Sequence, residues 1–114
     1  MHPDIVRAND LLNSDCCSEA LPLVQPLVEV GHPDALALLG TMYQVGLGVA
    51  QDSNKAVELL SRAVDAGVGV AAHNLGTIYA AGMPGIPADP QRSRTYYLKA
   101  KALGCQPGSP DFYV

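Results

Sequence analysis

The amino-acid sequence predicts an all-α fold, an α/α solenoid of about three antiparallel helix hairpins, or six helices, with right-handed superhelical stacking. The main observation is an internal repeat, because the segment Leu39–Tyr43 (LGTMY) returns as Leu75–Tyr79 (LGTIY). A glycine also closes each cycle, at Gly31, Gly67 and Gly104. The two copies begin 36 residues apart. Repeats of this length are typical of stacked supersecondary units, each covering a face of its neighbour.

The first hairpin is predicted from two apolar stripes at helical spacing. The first helix is expected over residues 3 to about 13, followed by a turn at Ser14-Asp15. A second helix is expected from Ser18, a favourable N-cap residue, to Gly31. Because Pro26 lies inside this helix, we expect a kink or the loss of one backbone hydrogen bond.

The second hairpin has clear start and stop signals. Pro33 suits the first position of a helix, where its missing N–H costs nothing, and this helix is expected to end near Gly46. The loop that follows leads to Asp52, which we predict to be the N-cap of the next helix. Gly67 is the predicted C-terminal cap.

The third hairpin repeats the second with a longer loop. Its first helix ends at Gly82, and Asp89-Pro90 is the predicted N-cap and first position of the last helix, which stops at Gly104. Four residues of that last helix are expected to face inward: Ser93, Tyr96, Tyr97 and Ala100.

Gly40 and Gly76 lie in helix interiors, where glycine costs about 1 kcal/mol relative to alanine. That cost is acceptable if each glycine lets the partner helix approach closely. Tyr43 and Tyr79 are then expected to fill the space between neighbouring hairpins. The tripeptide His-Pro-Asp, at residues 2–4 and 32–34, is explained locally by Pro and Asp at helix starts.

Composition excludes several classes of function. The chain has 114 residues and a formal net charge of −4, with Lys and Arg scattered singly, so no nucleic-acid partner is expected. It has no apolar run of the roughly 20 residues that span a bilayer and no signal-like start, so we predict a cytoplasmic protein without a membrane partner. The three cysteines show no CxxC spacing, and we expect reduced thiols, no metal, no cofactor and no enzymatic activity.

One repeat domain is predicted over residues 1–106, with units at about 3–31, 32–67 and 68–104 and an irregular tail at 107–114. A specific spacing runs through the second unit and is repeated in the third. It reads Ala35-x-x-x-Leu39-Gly40-x-x-Tyr43-x-x-Gly46-x-Gly48-Val49-x-x-Asp52-x-x-Lys55-Ala56.

This pattern resembles the Sel-1-like repeat (SLR) family, which is related to the tetratricopeptide repeats. The resemblance covers roughly residues 18–104 and implies an α/α solenoid whose concave face, lined by the first helix of each hairpin, binds proteins or peptides. Groove positions carried over from tetratricopeptide-type hairpins give eight candidate partner-binding residues: Asp34, Ala37, Thr41, Gln44, Val70, His73, Thr77 and Ala80.

Two functions from different classes remain open. The chain is predicted to be a non-enzymatic adaptor or scaffold that binds another protein through the concave face or the ends of the array. The alternative is a dedicated inhibitor, such as a bacterial immunity protein that neutralises a toxin. Self-association through the open solenoid ends is a further alternative. The tail residues Phe112 and Tyr113 are expected either to cap the last hairpin or to dock elsewhere.

Overall fold

The fold is a row of three antiparallel helix hairpins. In a computed structural model of the protein, the structure describes residues 3–12 and 17–104. Its six α-helices are α1 (Pro3–Leu12), α2 (Leu21–Glu29), α3 (Pro33–Val45), α4 (Ser53–Asp65), α5 (Gly69–Ala81) and α6 (Pro90–Ala102). These described ranges contain no β-strand, so the predicted all-α class is confirmed.

The hairpins stack in chain order. Helices α1 and α2, α3 and α4, and α5 and α6 contact each other within hairpins, while α2 contacts α3 and α4 contacts α5. The first helices α3 and α5 also contact each other directly. The middle hairpin therefore has a hairpin on each side. The third has one only on the side of α4 within the part of the chain that is described.

The predicted N-caps of α4 and α6 are confirmed. The Asp52 carboxylate accepts the backbone N–H of Lys55 at 3.1 Å, and the Asp89 carboxylate accepts that of Arg92 at 3.1 Å. Each bond satisfies one of the N–H groups that the first helical turn leaves without a partner. The start of each second helix is thus fixed by a local contact that the sequence makes visible.

Both long loops are also closed at their base by one backbone bond. The N–H of Asp52 donates to the carbonyl of Tyr43 at 3.1 Å, and the N–H of Asp89 donates to the carbonyl of Tyr79 at 2.7 Å. The second loop contains an isolated antiparallel bridge between Met83 and Ile86, and Ile86 is buried. The two loops thus differ in their internal structure, but both are closed by the same backbone hydrogen bond.

The end of α4 shows why glycine closes each cycle. Gly67 adopts a φ of +89°, and its N–H donates to the carbonyl of Val64, while the N–H of Val68 donates to that of Ala63. Residues with a Cβ rarely adopt this conformation, so glycine is favoured here. Gly31 and Gly104 have the same sign of φ, and the predicted helix ends are confirmed.

The start of the second helix in the first hairpin was wrongly predicted. A 3-10 turn occupies Cys17–Glu19, and α2 begins only at Leu21, so Ser18 is not its N-cap. Ala20 stands at the cap position and makes no side-chain cap bond. The helix continues through Pro26 to Glu29. Pro26 removes a hydrogen bond, as expected, without ending the helix.

The core lies between the hairpins and is built from small and branched aliphatic side chains. Its largest fully buried side chains come from five of the six helices: Ile5, Val24, Met42, Leu60, Leu75 and Ile78. Among the described residues, no helix combines the length and apolar character that crossing a bilayer requires.

One expectation about the aromatic residues needs correction. Ser93 and Ala100 are buried as predicted, but Tyr97 is 37% exposed, although one side of its ring packs on Gly76 of α5. Tyr79 stacks on Tyr96 of its own hairpin with ring centroids 5.8 Å apart. The Tyr43 ring lies under Lys55, also of its own hairpin, at 5.2 Å. These ring contacts join the two helices of one hairpin, and Tyr79 also lines a groove together with Val57 of α4 in the preceding hairpin.

Candidate protein-binding surface

The first helices α3 and α5 carry the predicted groove residues. Six of the eight present side-chain surface, and we call these six residues the first-helix surface: Asp34, Thr41, Gln44, His73, Thr77 and Ala80. Thr77 and Ala80 are exposed, and the other four are half-buried. Ala37 and Val70 lie in the core instead, at 1% and 4% exposure, and offer no side-chain surface to a partner.

A side-chain hydrogen bond joins the first-helix surface across two hairpins. Asn74 Nδ2 donates to Thr41 Oγ1 at 2.9 Å, and the Thr41 hydroxyl donates to the carbonyl of Ala37 at 2.9 Å. Asn74 is 8% exposed. A buried amide is retained only where it finds partners, so this contact fixes how α5 lies against α3.

In the last hairpin, Thr77 occupies the position of Thr41 but has a different partner. Its hydroxyl is 3.2 Å from the carbonyl of His73 and 3.2 Å from the hydroxyl of Tyr97 on α6. The His73 ring also lies against the Tyr97 ring, with centroids 5.2 Å apart. Burial lowers the pKa of His73, and a hydrogen bond with Asn74 opposes this effect.

The mid-helix glycines allow the close approach that was predicted. A Cβ on Gly40 would lie 2.8 Å from Cγ of Leu60 on α4, and a Cβ on Gly76 would lie 2.7 Å from Cδ1 of Tyr97 on α6. Real Cβ atoms essentially never come so near another heavy atom. Leu60 and Tyr97 are therefore equivalent side chains of successive hairpins, each packed on the glycine of its own first helix.

The outer side of the last hairpin forms a second exposed surface. An open groove of about 490 Å³ lies along α6, and its lining includes Ala80, Arg94, Tyr97, Leu98 and Lys101. Leu98 is 59% exposed. We call these five residues the end surface. An apolar centre with cations at its edges is a common composition for a protein-binding surface.

The two surfaces differ in charge. Asp34 is the one charged member of the first-helix surface, whereas the end surface carries Arg94 and Lys101. A third α6 cation is used elsewhere, because Arg92 lies 5.5 Å from the centre of the Tyr79 ring and 3.6 Å from the Asp89 carboxylate. Within residues 3–12 and 17–104, no three His, Cys, Asp or Glu side chains come together in a way that could hold a metal ion.

A model of the Sel1 repeat matches residues 33–68 and again residues 69–105. The chain belongs to the Sel1 repeat family. Sel1 repeats generally act as protein–protein interaction modules rather than as catalysts. The two matches correspond to the hairpins α3/α4 and α5/α6, which hold all eight of the predicted groove residues. A search of curated proteins gave no match.

Solved structures show the same fold for this Sel1 repeat chain. A Sel1 repeat protein from Oxalobacter formigenes superposes over 90% of this chain with a TM-score of 0.75 and 24% identity. The protein c5321, a protective antigen present in uropathogenic Escherichia coli strains, displays an SLR fold and superposes over 89% of this chain with a TM-score of 0.75 and 26% identity. The Sel1 repeat chain spans only 40% and 22% of the lengths of these two chains.

The end surface was not predicted from the sequence, because the helical spacing of Tyr97 indicated a core position. The signal was present, since Gly76 repeats Gly40 and the α6 residue that corresponds to Leu60 is Tyr97, 37 positions later. A large residue with a polar tip at that position suits a half-exposed site better than a core. Phe112 and Tyr113 lie outside the described residues, so their capping or docking role stays a prediction.

Proposed function

We propose that this Sel1 repeat chain is a non-enzymatic, cytoplasmic adaptor that binds a partner protein across its first-helix surface. The observation that carries the proposal is the hydrogen bond from Asn74 Nδ2 to Thr41 Oγ1, 2.9 Å long, which joins α5 to α3. Side chains of two successive units thereby form one surface with a defined spacing. A rigid, preorganised surface loses less conformational entropy when a partner binds.

The partner expected for this surface is neutral or helical rather than a strongly charged peptide. The residues Thr41, Gln44, Thr77 and Ala80 are uncharged, and the first-helix surface includes no Lys or Arg to clamp a carboxylate. Small side chains let a partner backbone approach closely, and the oxygens of hydroxyl and amide groups can each accept more than one hydrogen bond. Recognition through shape and hydrogen bonds is therefore favoured over charge.

The experiment uses the whole chain, immobilised, to retain proteins from a lysate of its own source organism, followed by mass spectrometry and calorimetry with the purified candidate. The test variant is Gln44→Lys, which places one cation on the first-helix surface at a position that is not part of the end surface. The matched control is Gln25→Lys, on an exposed position of α2. Circular dichroism checks that each variant is folded.

The proposal predicts a protein that the wild type and Gln25→Lys retain, and whose affinity for Gln44→Lys is lower by at least about tenfold, or about 1.4 kcal/mol. Retention of no protein, or equal retention by all three chains, would overturn it. The finer role follows from the partner: an enzyme or toxin whose activity falls on binding would identify the inhibitor alternative, and an unaffected partner would identify an adaptor.

A further inference from the structure

The end surface corresponds to an interface that already exists inside the chain. Counting 37 residues back from Arg94, Tyr97 and Lys101 gives Val57, Leu60 and Val64 on α4. Leu60 and Val64 are 0% and 5% exposed and Val57 is half-buried, on a helix that α5 contacts. The same positions on α6 are exposed, with Tyr97 at 37%. In the preceding hairpin, this face of α4 is thus covered by α5, the first helix of the next hairpin.

The first hairpin carries the matching unpaired position. Pro3-Asp4 and Pro33-Asp34 open α1 and α3, so Val6 occupies in α1 the place that Leu36 occupies in α3. Leu36 is 3% exposed, and its repeat in α5, Ala72, is 0% exposed. Val6 is 46% exposed. The position is covered in both hairpins that have a preceding hairpin, and it is open in α1.

The two ends also have opposite charge. Four of the seven Lys and Arg residues lie on α6, whose sequence contains no Asp or Glu. Residues 1–34 contain six acidic residues and a single Arg. Asp10 lies one helical turn after Val6 and is exposed, while Arg94 and Lys101 lie one turn on either side of Tyr97. Val6 at one end thus has an acidic residue one turn away, and Tyr97 at the other end has a cation one turn away on each side, so the two compositions are complementary.

We propose that the end surface of one copy of this chain binds α1 of a second copy, head to tail. In this arrangement Val6 packs on Tyr97 and Leu98, and Asp10 lies among Arg94 and Lys101. The contact repeats the stacking of α5 on α4 and does not depend on the partner protein proposed above. Because the two faces differ, the contact is heterologous and leaves one free end of each kind, so assembly continues with concentration.

The test measures molar mass by sedimentation equilibrium on the full chain, from about 10 µM to about 1 mM, the range in which a small, transient interface is populated. The wild-type mass is expected to rise from the monomer value to about twice that value or more. Sodium chloride at about 1 M shortens the Debye length to about 3 Å and should reduce the association.

Charge reversal at each end tests the pairing. Arg94→Glu/Lys101→Glu and Asp10→Lys are each expected to stay monomeric, because like charges then face each other at the contact. An equimolar mixture of the two variants is expected to regain association, since each reversed end finds a complementary end on the other chain. The matched controls on α4, Lys55→Glu/Arg62→Glu and Asp65→Lys, change net charge equally at exposed positions and should associate like the wild type.

Several results would overturn the proposal. These are a wild type that stays monomeric at the highest concentration, association that survives either reversal, and a mixture that does not recover. A monomeric wild type together with an associating Phe112→Ser/Tyr113→Ser variant would mean that residues 105–114 occupy the end surface instead. Failure here leaves the adaptor role standing, because that role is measured on the first-helix surface.

Discussion

The hairpins α3/α4 and α5/α6 are built from the same repeat and differ in what lies against their second helix. Gly40 meets Leu60, and Gly76 meets Tyr97, at nearly the same distance. Leu60 is fully buried because α5 follows it, whereas Tyr97 is 37% exposed. The packing inside a hairpin is therefore determined by residues of that hairpin. The exposure of its second helix is determined by whether another hairpin packs against it.

A second difference concerns the threonine after each mid-helix glycine. Thr41 accepts a bond from Asn74 of the following unit, while Thr77 pairs with Tyr97 of its own unit. The same residue type thus joins two hairpins in one place and orients an exposed aromatic ring in the other. An identical motif does not imply an identical role, because the neighbour supplies half of each contact.

The largest expected effect distinguishes the two second helices. Leu60→Ala should lower the free energy of unfolding by about 2–5 kcal/mol, since it opens a cavity in the core. Tyr97→Ala should cost less than about 2 kcal/mol, because part of the ring is already in water. Urea denaturation of both variants measures this. Equal costs would mean that the outer side of α6 is covered in solution.

The next effect concerns the two threonines. Thr41→Val removes the acceptor of a buried amide and should cost about 1–3 kcal/mol. Thr77→Val should cost less than about 0.5 kcal/mol, because the exposed Tyr97 hydroxyl can bond to water. A double-mutant cycle of Thr41→Val with Asn74→Ala measures the coupling directly. Similar losses at both threonines would contradict the assigned difference between the hairpins.

A smaller effect concerns the aspartate N-cap, which is the same in both hairpins. Asp52→Ala and Asp89→Ala should each cost about 1 kcal/mol, because each removes the same N-cap bond. The nearby Arg92 adds little to the second value, since exposed ion pairs are weak. Thermal or chemical denaturation of the single variants and of the double variant is the measurement. A loss at Asp89 far above that at Asp52 would show that the longer loop depends on its cap.

The smallest effect is a pH dependence that arises from His73 in the last hairpin. Burial lowers the pKa of His73, so the folded state favours the neutral ring. Stability should therefore fall as the pH drops below about 6.5, the ordinary value, and level off below the folded-state pKa. The difference in urea midpoint between wild type and His73→Ala, followed from about pH 7.5 to about pH 5, isolates this contribution. A difference that does not change with pH would contradict it.

Sequence patterns identified the parts of this fold that depend on local chemistry. Asp52, Asp89 and Gly67 were predicted correctly because an N-cap bond or a positive φ restricts the residue type at one position. Gly40 and Gly76 were explained because glycine destabilises a helix interior and is therefore expected only where a neighbouring helix approaches closely.

Other features depend on neighbours that the pattern does not show. Tyr97 has helical spacing suited to the core, and its exposure follows only from what stacks on α6. Ala37 and Val70 were placed in a groove by analogy with another repeat, and the structure buries them. Ser18 has the chemistry of a cap, but the 3-10 turn at Cys17–Glu19 delays the helix.

The bond from each N-cap aspartate back to the tyrosine carbonyl has a consequence for how this repeat tolerates change. One backbone hydrogen bond closes each loop where it leaves the helices, from Asp52 to Tyr43 and from Asp89 to Tyr79. Residues inserted between the two bonded positions lengthen the loop without changing how the helices pack, and closing a longer loop costs little free energy. These two loops are thus the natural sites for inserting a peptide tag or a new recognition segment.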